Sequence, residues 1–205
     1  MACKAEAALV VNNGAAAVLL VLAALANGKE AVVSRGELVE IGGGFRLPEV
    51  GTTNRTRCSD YERAIGPQCG MLLKVHTSNF RVTGFTESAT VAEMVEVAAR
   101  SSAPSSDGSL ETVPVVVDLG SGLLDAACPW LNGRPREWLR DEPAVRQTFE
   151  AGPSLVTFSC DKLLGGPHAG VIAGQPAWSI AVGTIHWLGP CASAVSSSSR
   201  CRMSP

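Results

Sequence analysis

At 205 residues, 46% of them hydrophobic and 18% charged, the chain is long enough to bury a sizeable core as one large domain or a domain and a half. Its 17 basic and 19 acidic residues leave a formal net charge of −2, so no global field marks a polyanionic partner. Seven scattered cysteines, an odd number without a C-x-x-C pair or ligand-spaced histidines, argue against a zinc site and for reduced thiols in a cytoplasmic setting.

Lys4 ahead of the apolar run at residues 15–26 has the outline of a secretory signal. Glu6, Asn12 and Asn13 interrupt it, and residues 14–26 are too few to span a membrane, so no membrane segment is expected. Residues 7–11 read as a short strand. Asn12-Asn13-Gly14 then turns the chain into a helix that runs to about Ala26 and stops at Asn27-Gly28. Apolar on all sides, this helix must be buried. Its N-terminus offers free N–H groups and a positive dipole end, which suits a phosphate; an asparagine capping a core helix is the plainer reading of the same residues.

The next strand, residues 30–34, delivers Arg35 at its carboxyl end. A guanidinium there can grip two oxygens of an anion, or pair with Glu37 or Glu40. Glu49-Val50 follows Pro48 so abruptly that a shortened or absent strand is expected. Residues 61–65 form a weak helix, and residues 71–75 a strand that ends at His76. Thr90 and Glu93 make a capping box, with Val91, Met94, Val95 and Ala98 on one helical face. Residues 101–109 read as a polar loop, and residues 130–140 carry no clear assignment.

Two strand ends carry the chemistry. Residues 113–119 are an unbroken β-branched strand that delivers Asp118, and residues 155–158 a short buried strand that leads to Lys162 and Gly165-Gly166. A lysine at such a strand end is partly desolvated, which favours the neutral amine that forms Schiff bases with carbonyls; a solvated surface lysine is the alternative. In open parallel sheets ligands bind at the carboxyl ends of strands. An aspartate and a lysine placed there can face one ligand, and pyridoxal phosphate needs this pair: an amine for its aldehyde and an acid for its ring nitrogen. Residues 170–174 form a further strand, and residues 193–205 are serine-rich without periodicity, reading as a disordered tail.

Asn12-Asn13-Gly14-Ala15-Ala16, Gly42-Gly43-Gly44-Phe45-Arg46, Glu49-Val50-Gly51-Thr52-Thr53-Asn54-Arg55-Thr56, Lys74-Val75-His76-Thr77-Ser78-Asn79-Phe80 and the two strands above together resemble the bacterial L-seryl-tRNA(Sec) selenium transferases, the selenocysteine synthases, over roughly residues 5–174. The resemblance implies an α/β fold, the large domain of a fold-type I pyridoxal-phosphate-dependent transferase with a mostly parallel sheet. The activity it implies is conversion of seryl-tRNA(Sec) to selenocysteinyl-tRNA(Sec), with selenophosphate as donor, in a cytoplasmic homo-oligomer. By the same resemblance, Lys162 carries the cofactor and acts as general base, and Asp161 is the acidic residue beside it. Asp118 partners the ring nitrogen, Asn12, Asn13, Gly14 and Ser159 receive the phosphate, His76 neighbours the ring or carries a proton, and Arg35 helps bind selenophosphate. Ser159 capping its own loop and His76 as a structural histidine are the competing readings.

The family pattern departs at three places. Its tRNA-recognising N-terminal region and its C-terminal small domain have no counterpart here, and a short helix with the start of a strand is missing between Pro48 and Glu49. The sequence therefore predicts a partial cofactor-binding domain at residues 1–174, incomplete at both ends and inactive by itself, followed by an unrelated tail at 175–205. Two further readings stay open. One is another fold-type I enzyme, such as an ammonia lyase acting on a small amino acid without tRNA. The other is a non-catalytic truncated paralogue that pairs with a full-length subunit.

Overall fold

A run of alanine, valine and leucine with no charged residue must find a buried place, and Gly14–Leu25 (α1) does so against one face of the sheet. The computed structural model describes residues 3–38, 49–51, 54–78, 81–104, 110–131, 136–183 and 193–195. In chain order the elements are β1 (Ala7–Val11), α1, β2 (Glu30–Ser34), β3 (Glu49–Val50), β4 (Arg55–Thr56), α2 (Cys58–Ala64), β5 (Cys69–Val75), β6 (Glu87–Ser88) and α3 (Val91–Arg100). They continue with β7 (Ser102–Pro104), β8 (Leu110–Thr112), β9 (Val115–Gly120), α4 (Val145–Glu150), β10 (Leu155–Ser159), β11 (Gly170–Gly174), α5 (Pro176–Gly183) and β12 (Ser193–Val195).

Eight strands form one sheet in the order β12-β1-β11-β10-β9-β5-β2-β3. Every pairing from β10 to β3 is parallel, while β11 runs against both β10 and β1, and β12 against β1. Six of the eight described strands of this sheet thus share one direction, and the expected mostly parallel α/β architecture is present. Alternation along the strands separates two cores. Met71, Leu73, Val75, Val116, Leu155 and Ile172 face α1, whereas Leu72 and Val115 pack with Tyr61, Met94, Val97 and Ala98 of α2 and α3. Val117, Leu119, Val156 and Phe158 complete that second face with Val145 of α4. The result is three layers with the sheet buried on both sides.

Several expectations shift. β3 is shortened but formed: Glu49 and Val50 pair in parallel with Val33 and Ser34. Part of the expected polar loop at 101–109 joins a ladder, Ser102–Pro104 pairing antiparallel with Leu110–Thr112; residues 105–109 lie outside those described. The capping box forms as read, Thr90 N–H donating to Glu93 Oε2 at 2.7 Å and Glu93 N–H to Thr90 Oγ1 at 3.3 Å.

Just after the expected boundary at residue 174 the chain forms a helix, Pro176–Gly183. α5 closes over α1, β1 and β11, with Val182 fully buried in the α1-side core and Trp178 packed against it. The physical reason is that Ala177, Trp178, Ile180, Ala181 and Val182 leave hardly a polar face, so periodicity marks neither a surface nor a buried side. Ser193–Val195 add an edge strand to β1; the rest of the expected tail lies outside the described residues. Among the described residues no helix is long and apolar enough to cross a membrane.

Candidate active site

The site is built at the carboxyl edge of the sheet, where four chain segments approach one another closely. Asn13 is extended and caps α1: its Oδ1 accepts from Ala16 N–H at 2.7 Å and its carbonyl from Ala17 N–H at 3.1 Å. The plainer reading of Asn13 is therefore realised in its side chain, and the N–H groups of Gly14 and Ala15 are left without an intrahelical or capping acceptor. A Cβ on Gly14 would overlap Ser159 Oγ, one on Gly170 would overlap the Asn13 carbonyl, and one on Gly122 the Ser159 carbonyl. These glycines let the α1 turn, the ends of β9 and β10 and the start of β11 close on one another. Ser159 is buried there, and Asn12 is exposed at the rim.

β9 and β10 pair in parallel with Asp118 directly beside Thr157. Alternation puts Val116 and Asp118 on the α1 side, with Leu155, Thr157 and Ser159 from β10. Thr157 Oγ1 donates to Asp118 Oδ1 at 2.7 Å. Burial pushes the Asp118 carboxyl above its ordinary range, while the Thr157 hydroxyl, the Gly120 N–H and the charges of Lys162 and His76 pull it back. Lys162 and His76 thus both act on the carboxylate that the sequence singled out.

Lys162 is carried by the loop at residues 160–169. Cys160 N–H donates to the Ala169 carbonyl at 2.9 Å and Gly166 N–H to the Cys160 carbonyl at 2.7 Å, closing the loop on itself. Leu163 N–H donates to the Ser121 carbonyl at 2.9 Å and fastens the loop to the end of β9. The lysine side chain is 53% exposed, so its desolvation is partial, and its ammonium lies 3.7 Å from Asp161 Oδ1. Asp161 Oδ2 meets His168 Nδ1 at 2.7 Å, and this contact is the main cause that holds the Asp161 carboxyl below the usual range.

His76 closes the site on the β5 side. Its N–H donates to the Asp118 carbonyl at 2.8 Å, and its Nε2 lies 3.3 Å from Glu142 Oε2. Arg35 stands exposed at the end of β2, two strands from β9, and the structure does not bring it against Asp118 or Lys162. Glu37, offered above as its partner, is engaged elsewhere: it accepts from Lys74 Nζ at 2.7 Å and from Val75 N–H at 3.0 Å. Glu40 lies outside the described residues. A cavity of about 810 Å³ opens on the opposite face of β9, walled by Val117, Leu119, Arg55, Trp138 and Glu142. Of the expected site residues only His76 reaches its wall. No group of metal-ligating side chains occurs among the described residues.

A family model described as L-seryl-tRNA selenium transferase matches residues 1–182. The chain belongs to this family. Its curated relatives include the L-seryl-tRNA(Sec) selenium transferases of Geobacter metallireducens, 51% identical over 182 residues that cover 83% of this chain and 36% of the relative, and of Moorella thermoacetica, 50% identical over 183 residues, 83% and 35%. That of Pasteurella multocida is 48% identical over 185 residues, 85% and 36%. The chain thus spans little more than a third of the length of the curated relatives it matches. The solved structure of a D-glucosaminate-6-phosphate ammonia-lyase superposes with a TM-score of 0.64 over 87% of this chain and 46% of that one; at 22% identity it shows the fold. The family match runs eight residues past the limit of 174 expected for the resemblance, through most of α5.

Three neighbours of the site escaped the sequence reading. Thr157 was visible only as part of a buried strand, and its hydroxyl finds Asp118 through the parallel register of β9 and β10. Glu142 meets His76 from 66 positions away, and no local pattern announces it. His168 was the most accessible of the three, seven residues from Asp161 in a short glycine-closed loop.

Proposed function

We propose that this chain carries the cofactor-holding part of a pyridoxal-phosphate-dependent conversion of seryl-tRNA(Sec) to selenocysteinyl-tRNA(Sec), with selenophosphate as selenium donor. The observation that carries the reading is the convergence of Lys162, Asp118, Ser159 and the α1 N-terminus on one edge of the sheet. The residues fit the cofactor by their chemistry: a primary amine, a half-buried carboxyl, a hydroxyl and two free N–H groups at a helix start. The glycine cradle gives the close approach that a phosphate needs. When bound, pyridoxal phosphate supplies an electron sink that eases loss of the α-proton of an amino acid.

Each residue then has a task. Lys162 would hold the cofactor through its amine and would serve as the base for the α-proton. Asp118 keeps a proton on the ring nitrogen, and Thr157 fixes its carboxyl for that purpose. Gly14 and Ala15 N–H groups, with Ser159 Oγ, receive the phosphate, while Asn12 and Asn13 shape the turn. His76, whose backbone N–H is tied to the Asp118 carbonyl, would neighbour the ring or carry a proton. Asp161 faces Lys162. Arg35 is assigned to the donor, whose anionic oxygens suit a guanidinium. A cytoplasmic, homo-oligomeric protein belongs to the same reading.

The test is spectroscopic. Purified chain mixed with pyridoxal phosphate is expected to develop the visible band of a lysine-bound cofactor, and Lys162→Ala to develop none. Equal bands in both proteins would remove Lys162 from its role.

A further inference from the structure

One carboxylate in the lysine loop meets both a lysine and a histidine, and the tasks assigned above use only the lysine. Asp161 Oδ1 lies 3.7 Å from Lys162 Nζ, and Asp161 Oδ2 lies 2.7 Å from His168 Nδ1. The loop holds both neighbours on one frame: it is closed at Cys160 by two backbone hydrogen bonds and turned back at Gly165, whose φ of +69° suits glycine. Asp161 itself is 32% exposed in its side chain, so water competes for both of its oxygens. An imidazole N–H that occupies one oxygen leaves the other directed to the ammonium, because a carboxylate cannot rotate one oxygen without the other. Among the described residues, Asp118 on β9 also feels the charge of Lys162, and the Cys160 thiol beside Asp161 is pushed up by burial.

We propose that His168 is a positioning residue that fixes Asp161 by one oxygen so that the other stays against Lys162, coupling the charge on the lysine–cofactor bond to an imidazole six residues from the lysine. The proposal deepens the function given above and rests on it wherever the cofactor enters. Its first consequence does not need the cofactor. With the cofactor bound, a protonated nitrogen on Lys162 keeps its counter-charge only while Asp161 is held.

Two measurements decide it. In the cofactor-free protein, the Asp161 carboxyl followed by NMR is expected to titrate below its ordinary 3.8, to move back toward that value in His168→Ala, and to stay low in His168→Asn, whose amide can still donate. With pyridoxal phosphate added, the pH at which the visible band changes form should fall in His168→Ala by about 0.5 unit, a roughly three-fold change in the protonation equilibrium. It should fall likewise in Asp161→Asn, and no further in the double variant. A His168→Ala protein that melts like wild type and keeps both the Asp161 titration and the band transition would overturn the inference while leaving Lys162 as the cofactor lysine. A wild-type protein without any band would overturn the cofactor reading, and an Asp161 titration unmoved by His168→Ala would then overturn the positioning role as well.

Discussion

A carboxyl group held partly away from water must be compensated, and at Asp118 the compensation is partial: a threonine hydroxyl, one N–H and the nearby Lys162 and His76 offset burial without cancelling it. Its folded pKa lies above the unfolded value, so the folded state binds the proton more tightly. Any stability from this group is present below the ordinary value of 3.8 and is lost as pH rises through the folded value. Without cofactor, Asp118→Asn should therefore be more stable than wild type at neutral pH, by a margin that shrinks toward zero on acidification. Urea midpoints at about pH 7 and pH 4 check this; lower stability of the variant at neutral pH would contradict it. The same substitution should weaken pyridoxal phosphate binding roughly ten-fold or more, because an amide cannot hold the ring proton. Asp118 and Lys162 stood out in the sequence because one lies near the end of a β-branched strand and the other just beyond a short apolar one. Thr157, Glu142 and His168 did not, since their importance lies in whom they touch.

Helices and strands here are positioned by close approach as much as by apolar burial. Gly170 begins β11 at van der Waals distance from the Asn13 carbonyl, and nothing with a Cβ fits there. Gly170→Ala is expected to cost about 1–3 kcal/mol, the range for forcing an extra carbon into packed structure. Gly66→Ala, which meets nothing within 4 Å, serves as its near-neutral control. Equal denaturant midpoints for the two variants would show that the α1 turn and β11 do not depend on this contact. At this scale the sequence was most informative where signals are local. The cap at Thr90 and the turn at Asn13-Gly14 sit where they were expected, and β11 has the expected bounds. The β7–β8 ladder was missed because its two short strands gain their stability from each other.

Across the whole molecule, the sheet owes its closure beyond the parallel strands to segments late in the chain. α5 covers the α1 side, and Val182 is fully buried within it. If α5 belongs to the folded unit, Val182→Ala should lower stability by about 2 kcal/mol, the transfer and cavity cost of a buried valine. A thermal melt unchanged by the substitution would restore the boundary at 174. By itself the sequence determined the alternation of strand and helix and the placing of an acid and an amine near two strand ends, because each of these is written in local periodicity and in the residues that stop it; the parallel character of the sheet was implied by the family resemblance. Only the tertiary structure decided which strands are neighbours, which face Asp118 takes, and that Asp161 is shared between Lys162 and His168. Those facts depend on strand order and register, which join residues tens of positions apart and leave no trace in any one stretch of chain.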